Sequence, residues 1–352
     1  MSNTSAIAAD RPGSDVHLDE WVAPDVADEH DLLRAGKILE WMDVIGSLAA
    51  TRHAGRPAVT ASVDGLHLGD PPHIGQRLTL TAQVSFTSER SMGVSVVMTH
   101  GPASSSKILE GYMTFCAVDE EGMPTAVPQV VPQTPDEIAR FREGALRREF
   151  RKKLECGDIS PVASMSSVEA LGSEARPLFV RELLKILPRS IRSPWDRDAM
   201  QPRPRRDSYV HKIEMVRDGK LNFHGTLYGG TLMRWIETTA NLSARAHMGG
   251  PVRFASLHGM TFLRPVHRSA FVHIRAMVVH TTSASLTTLV TVQAEDALGG
   301  RHTETLRAFL TFAPLGDRPS PVPPLECVGD EERALFKEVE HRLELQRVLI
   351  AS

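Results

Sequence analysis

One register runs through this chain twice. Gly36 and Gly230, Trp41 and Trp235, and Asp43 and Glu237 are each separated by 194 positions. The same separation joins His53 to His247, Ser62 to Ser256, Gly65 to Gly259, Pro71 to Pro265 and Ser91 to Ser285. Before these, DVHLDEWV at 15–22 lies on YVHKIEMV at 209–216, and after them GYMTFCAV lies on AFLTFAPL once three residues of loop are inserted. Chance identities do not hold one register over such a span, so the chain is a tandem duplication and any fold assigned to it must be built twice.

Each copy reads as a strand, a helix and a run of strands. In the first, VHLDEWV alternates as a strand does, and the helix from Lys37 to about His53 is expected to bury Ile38, Leu39, Trp41, Met42, Ile45 and Leu48. AVTASVDGLHL, QRLTLTAQVSF, SMGVSVVMTH and ILEGYMTFCAV then alternate with β-branched content, which predicts an antiparallel sheet long enough to wrap one buried helix. PTAVPQVVPQTP breaks the sheet, and PDEIARFREGALRREFRKKLE predicts an exposed helix with Pro135 near its start. The second copy repeats the order from YVHKIEMV to TETLRAFLTFA and ends in DEERALFKEVEHRLELQRVL, the partner of the helix at 136–153. The boundaries that follow are a loose leader at 1–13, a first domain at 14–150, an insert at 151–207 and a second domain at 208–352. The insert has no counterpart in the other copy; it holds short helical patterns such as PLFVRELLKIL and ends in the Pro/Arg-rich IRSPWDRDAMQPRPRRD, a linker composition.

The stretch that carries chemistry is NFHGTLYGGTLMRWIETTANLSAR at 222–245. A polar loop with Asn222, Gly225, Gly229 and Gly230 runs into an apolar helix that holds one acid, Glu237. Gly229 and Gly230 allow a ligand close to the backbone, and the helix start presents N–H groups to developing negative charge. That combination suits acyl transfer. The first copy has Asp28 and Asp31 where the second has Asn222 and Gly225, and Ala35 where it has Gly229, so the loop signature is lost there and Ala35 is expected to restrict the turn.

The Asn, Gly and Gly-Gly spacing, the acid seven residues into the helix and the FLRPV strand that follows resemble the hotdog-fold acyl-CoA thioesterases. Two copies, each trailed by a charged helix, resemble the cytosolic acyl-CoA hydrolases of the brain and acetyl-CoA types, over residues 15–150 and 208–350. The acetyl-CoA type ends in a lipid-binding START domain, for which this stretch is expected to have no room. The resemblance implies an α+β fold of two tandem hotdog domains, each an antiparallel sheet wrapped around a central helix, packed as an internal pseudo-dimer. It implies hydrolysis of a fatty acyl-CoA to acid and CoA, and assembly of three such chains into a homo-oligomer.

In such enzymes each site takes its loop from one unit and its carboxylate from the other. The intact site would then join Asn222, Gly229 and Gly230 to Asp43, and the mirror site would join Asp28, Ala35 and Gly36 to Glu237. Asp43 is assigned as general base or nucleophile, because burial beside an apolar tunnel raises a carboxyl's proton affinity into a useful range. Asn222 would orient the water or the thioester, and the backbone N–H at Gly230 would stabilise the oxyanion. The other reading of Asp43 and Glu237 is that each is merely satisfied by hydrogen bonds at a helix-helix seam. In the mirror site two acids near one cavity repel, and Asp28 has no amide to donate.

His224 either donates to a substrate carbonyl or is a capping or surface histidine. Ser91 and Ser285 either line the pantetheine channel, as the resemblance implies, or close a sheet turn. His53 and His247 recur behind the helix, where shared packing explains them better than ligation, and no histidine pair has metal-ligand spacing on a helix. Arg147, Arg148, Arg151, Lys152 and Lys153 could meet the CoA phosphates or form a solvated face, and Arg203, Arg205 and Arg206 are equally open.

Composition closes off other classes. With 41% apolar and 24% charged residues and a formal net charge of −3, the chain is an ordinary globular protein with no global attraction to nucleic acid. Cys116, Cys156 and Cys327 are odd in number and far apart, which forms neither a disulfide framework nor a zinc site and fits a reducing compartment. No signal segment opens the chain and no run approaches the ~20 apolar residues of a span, so a cytoplasmic protein needing no cofactor is expected. The GDxNPxH-like string of the enoyl-CoA hydratases does not occur, which leaves a thioesterase, or a non-catalytic acyl-CoA binder in which both sites have drifted.

Overall fold

The segment after Arg34 is rich in helix formers and ends at a residue in the left-handed region. The result is α1 (Ala35–Ala54), closed by Gly55 at φ +66°. The structure, a computed structural model, describes residues 15–102, 106–156, 201–297, 299–316 and 321–351. Around α1 run β1 (Val16–Trp21), β2 (Ala58–Leu68), β3 (Arg77–Thr87), β4 (Ser91–Thr99) and β5 (Lys107–Ala117), followed by α2 (Pro135–Cys156). Two short strands flank the second copy, β6 (Arg203–Pro204) and, later, β12 (Leu325–Glu326), which pair in parallel. Between them lie β7 (Val210–Met215), α3 (Gly229–Met248), β8 (Val252–Phe262), β9 (Phe271–Thr281), β10 (Leu286–Glu295) and β11 (His302–Pro314), and α4 (Asp330–Ala351) ends the copy.

The chain divides into two compact units, Met1–Val63 with Gly69–Ala145, and Asp64–Leu68 with Leu146–Ser352. The division assigns the end of β2 and the tail of α2 to the second unit, where Arg151 forms an ion pair with Asp64. Most of the insert expected at 151–207 lies outside the described residues. Strand order is β1-β3-β4-β5-β2 in the first unit and β7-β9-β10-β11-β8 in the second, so the duplication is visible strand for strand. The registered pairs within both units are antiparallel.

Period-two alternation delivers the helix-facing layer. In the first unit Leu78, Leu80 and Ala82 of β3 and Met92, Val94, Val96 and Met98 of β4 are fully buried beside α1. In the second, Val272, Ile274, Ala276 and Val278 of β9 do the same beside α3. The buried face of α1 holds Ile38, Leu39, Trp41, Met42 and Ile45 as expected, but Leu48 is 40% exposed. Leu48 follows Val44 by one turn on the stripe turned away from the sheet, and its counterpart Leu242 is also exposed.

Gly46 marks where α1 comes closest to the sheet, since a Cβ there would lie 2.9 Å from the ring of the fully buried Phe115. Ala240 fills the matching position of α3. Gly46→Ala is expected to destabilise the protein by about 1–3 kcal/mol through overpacking, measured as a shift in the denaturant midpoint at unchanged slope.

The first trailing helix is mostly exposed as expected, yet one stripe of it packs on its sheet, and α4 packs on its own sheet likewise. Phe141 of α2 lies 5.1 Å from Phe86 between ring centroids, and Tyr112 donates a 2.8 Å hydrogen bond to Glu143. In the second unit Val339 of α4 joins Val279, Leu289 and Phe309 in a buried cluster. The long apolar stems of such helices read as solvated because charge dominates their composition, yet one stripe suffices to cover a sheet face.

Candidate active site

The loop before α3 is an Asx turn. The side-chain Oδ1 of Asn222 accepts hydrogen bonds from the backbone N–H of His224 (3.0 Å), from that of Thr226 (3.2 Å) and from the Thr226 hydroxyl (3.1 Å). Gly225 takes the left-handed conformation the turn needs, at φ +73°. Three donors saturate the carbonyl oxygen, and among the described residues the Asn222 amide nitrogen donates to none. Gly229 and Gly230 are the first two residues of α3, with Gly230 buried. Neither has a positive φ, so glycine there leaves room and is not a demand of the turn.

The first copy builds the same loop from different residues. Asp28 Oδ1 accepts from the backbone of His30 (2.9 Å) and Leu32 (3.1 Å), and Asp31 stands at φ +60° where Gly225 stands in the other copy. The backbone bond from Asp28 to Leu32 matches that from Asn222 to Thr226, both 2.8 Å. Ala35 does not restrict the turn, because α1 begins there after Arg34 at φ −62°, ψ 128°, as α3 begins after Tyr228 at φ −64°, ψ 130°. The loop conformation is therefore kept, and what is lost in the first copy is one chemical group, the side-chain amide donor.

The two acids differ in their surroundings. Asp43 is 1% exposed on α1 and its Oδ1 accepts a 2.5 Å hydrogen bond from the Thr60 hydroxyl on β2. Glu237 is 7% exposed on α3, and the position matching Thr60 is the buried Phe254. Thr60 was missed in the sequence. Its signal was that the exchange of Thr60 for Phe254 accompanies the exchange of Asp43 for Glu237 while Ser62 and Ser256 two residues on stay the same.

His224 has its ring against Phe223, centroids 3.9 Å apart, and its Nε2 is buried without a hydrogen-bond partner among the described residues. Its backbone N–H serves the turn. Ser91 and Ser285 occupy hairpin turns, bonded to the hydroxyls of Ser88 (2.7 Å) and Thr282 (2.9 Å). That is what closing a turn requires. Of the basic run, Arg151 is committed to Asp64 and the side chains of Lys152 and Lys153 lie outside the described ones.

The Arg-rich approach to the second copy is structural. Arg203 donates a 2.6 Å hydrogen bond to the carbonyl of His247 at the end of α3, and Arg205 sits 3.9 Å from Glu332 with its side chain 12% exposed. His53 and His247 play one packing role twice: each Nε2 lies 2.9 Å from a carbonyl in the proline-rich segment after its sheet, that of Pro128 or Pro323.

With Pro323 accepting at Nε2, the buried Nδ1 of His247 has no hydrogen-bond partner among the described residues, so a second proton would be unsatisfied. Burial first, and the Arg203 charge second, lower the His247 pKa, against the opposing pull of the Pro323 carbonyl and Asp207. A depressed histidine pKa means the unfolded chain binds the extra proton more readily. Stability from this group is complete above the unfolded value of about 6.5 and falls as pH drops from there toward the folded value. Unfolding by denaturant at pH 7.5 and 5.5 should show a loss on acidification that is smaller in His247→Gln; an equal loss in both would exclude His247 as its source.

The fold and the loop-helix geometry define a hotdog architecture, and comparison with known proteins places it. The family model described as the thioesterase superfamily matches residues 33–104 and 224–299, one segment in each copy. The acetyl-coenzyme A thioesterase of Mus musculus is 28% identical over 317 residues, covering 87% of this chain and 52% of its own length. An uncharacterized acyl-CoA thioester hydrolase of Bacillus subtilis is 34% identical over 136 residues, 37% of this chain and 78% of that one. Among solved structures, a Lactobacillus plantarum protein provisionally named an oleoyl thioesterase superposes with a TM-score of 0.52 over 87% of this chain and 98% of its own, at 9% identity, which shows the fold alone. The chain belongs to the thioesterase superfamily. It spans about half the length of the longer curated relatives it matches, 53% and 52% of two of them.

Proposed function

We propose that the chain hydrolyses acyl-coenzyme A thioesters to the free acid and CoA, at a site formed by the Asn222–Gly230 loop of the second copy and Asp43 of the first. The activity is supported by the family and by the names of the relatives. The composite site is supported by distance. Acid and oxyanion donors must converge on one carbonyl within about 3 Å. Seven residues separate Gly230 from Glu237 on one helix, a rise of roughly 10 Å at 1.5 Å per residue. That separation favours an acid supplied by the other copy, and we assign Asp43 to the role.

Asp43, oriented by Thr60, takes a proton from water as the water oxygen attacks the thioester carbon. The first turn of α3 at Gly230 stabilises the oxyanion, with Asn222 and His224 donating to the carbonyl or positioning the water. On collapse the carbon–sulfur bond breaks and the proton passes to the leaving thiolate. In the alternative course Asp43 itself attacks and water then hydrolyses the anhydride. The observation that carries the assignment is the saturated Oδ1 of Asn222, which leaves its amide as the group with chemistry to do. The Asp28/Glu237 site, lacking that amide, is assigned as the weaker or silent one. Gly229 leaves room for the ligand, while Ser91 and Ser285 keep a channel-lining role only if substrate reaches the hairpin turns.

A thiol-release assay on a panel of acyl-CoAs, run beside calorimetry, tests the reading. Release from at least one chain length is expected, and binding without release from any would make the protein an acyl-CoA binder.

The resemblance also supports a trimer of tandem chains in the cytoplasm. Trp21 on β1 and Ile213 on β7 are 60% and 53% exposed, apolar groups on edge strands that an assembly would cover. Among the described residues no helix is long and apolar enough to cross a membrane. Sedimentation showing only monomers at assay concentration would count against the trimer.

A further inference from the structure

Four neighbouring strands of the second unit bring histidines and a carboxylate to one place. His302 on β11 is the register partner of Glu295 on β10. His273 on β9 stands opposite Gln293, one alternation along from Glu295, and its Nε2 lies 2.7 Å from Glu295 Oε2. One ligand atom from each of His273, Glu295 and His302 lies within 4.8 Å of the other two. The rings of His273 and His302 meet edge-on with centroids 5.2 Å apart. His211, from the edge strand β7, approaches the far side of His273, its Nε2 3.1 Å from Nδ1.

We propose that His273, Glu295 and His302 form a binding site for a divalent transition-metal ion of zinc type, with His211 as the group that orients His273. Two ligands on a tetrahedral ion with bonds of ~2.0–2.1 Å are roughly 3.3 Å apart. The 2.7 Å pair lies inside that spacing and would open by about 0.6 Å to admit an ion, while the exposed His302 offers a ligand atom within 4.8 Å of both. His273 is the anchor, 8% exposed on a central strand. With an ion bound at its Nε2, the His273 Nδ1–H would donate to His211 Nε2, 3.1 Å away, the arrangement by which an outer partner sets the tautomer of a metal-bound histidine.

Two imidazoles and one carboxylate favour zinc, cobalt, nickel or copper over magnesium and calcium, which take oxygen ligands in larger number. Arg275, the cation on the neighbouring register position, is engaged by Gln293 at 2.8 Å and so does not occupy the site. The fold does not require the group: at the offset relating the copies, Thr79 stands for His273, and of the three histidines His211 alone has a matched histidine, His17. A buried hydrogen-bonded pair of His273 and Glu295 would account for those two residues but leaves the convergence of His302 and His211 unexplained.

The test is calorimetry on the tag-free full chain, first stripped with chelator, titrated with zinc chloride and separately with magnesium chloride. One zinc per chain is expected, with affinity reduced at least tenfold in His302→Ala and in Glu295→Gln, and no binding of magnesium. Both substituted side chains reach the surface of the sheet, so the variants should fold; unchanged melting of each in chelator confirms it. Cobalt substitution gives a second readout, visible absorption of a four- or five-coordinate ion that is lost in His302→Ala. Absence of stoichiometric zinc binding, or equal affinity in the wild type and both variants, would overturn the site and leave a His273–Glu295 pair. None of these readouts depends on thioester hydrolysis.

Discussion

Replacing Asp43 by Asn should remove most turnover, by a factor of about 10²–10⁴, the usual worth of a positioned general base. The side chain is almost isosteric and the residue is buried against Thr60, so the variant keeps the helix and loses only the proton acceptor. Glu237→Gln should cost far less, because in the proposed arrangement Glu237 serves the loop that has Asp28 in place of an amide, and Phe254 stands at the position matching Thr60. The two variants differ in one atom type on matched helices, which makes each the control for the other. Should Glu237→Gln prove damaging and Asp43→Asn mild, the working site would be the mirror one.

The second large effect is expected from Asn222→Asp. Asp28 demonstrates that a carboxylate oxygen holds this turn, since it accepts the same backbone bonds in a loop of the same conformation. The substitution should therefore leave stability within about 1 kcal/mol, because the oxygen that accepts the turn's hydrogen bonds is kept. Turnover should nonetheless fall by about 10²–10³, the range for losing one donor to a developing oxyanion. Asn222→Ala would lower activity too, but it also removes the turn acceptor, so only the Asp variant separates chemistry from folding. A fall in activity matched by a fall in melting temperature would assign Asn222 to loop structure alone.

Much of the fold was legible because the signals were local or repeated. The duplication showed in a constant register, and the strands showed in period-two alternation that the sheets reproduce almost residue for residue. What failed was of three kinds. Leu48 read as core because helical spacing identifies an apolar stripe without saying which element covers its edges. The first-copy loop read as lost because Asp28 and Asp31 are different letters from Asn222 and Gly225, although Asp shares the oxygen that makes an Asx turn and tolerates the left-handed region. The Arg203–Arg206 stretch read as linker from composition, whereas Arg203 caps a helix and Arg205 is nearly buried.

The candidate site was legible where it lay in one segment. Asn222, Gly230 and Glu237 lie on one loop and its helix, the repeat register added Asp43, and the roles assigned to them came from the resemblance. Thr60 reaches Asp43 from a strand, and the His273, Glu295 and His302 group is assembled from three strands. Such groupings depend on sheet register, which the sequence leaves implicit.

The pairing of Asn222 with Asp43 in one site is tested most directly by kcat for Asp43→Asn, Asn222→Asp and the double variant on one acyl-CoA. If both residues serve the same site, each single change removes nearly all turnover and the double adds little, because residues acting on one transition state are not additive. Two separate working sites would give the opposite pattern: each single variant would keep a large share of the wild-type rate, and only the double variant would fall silent.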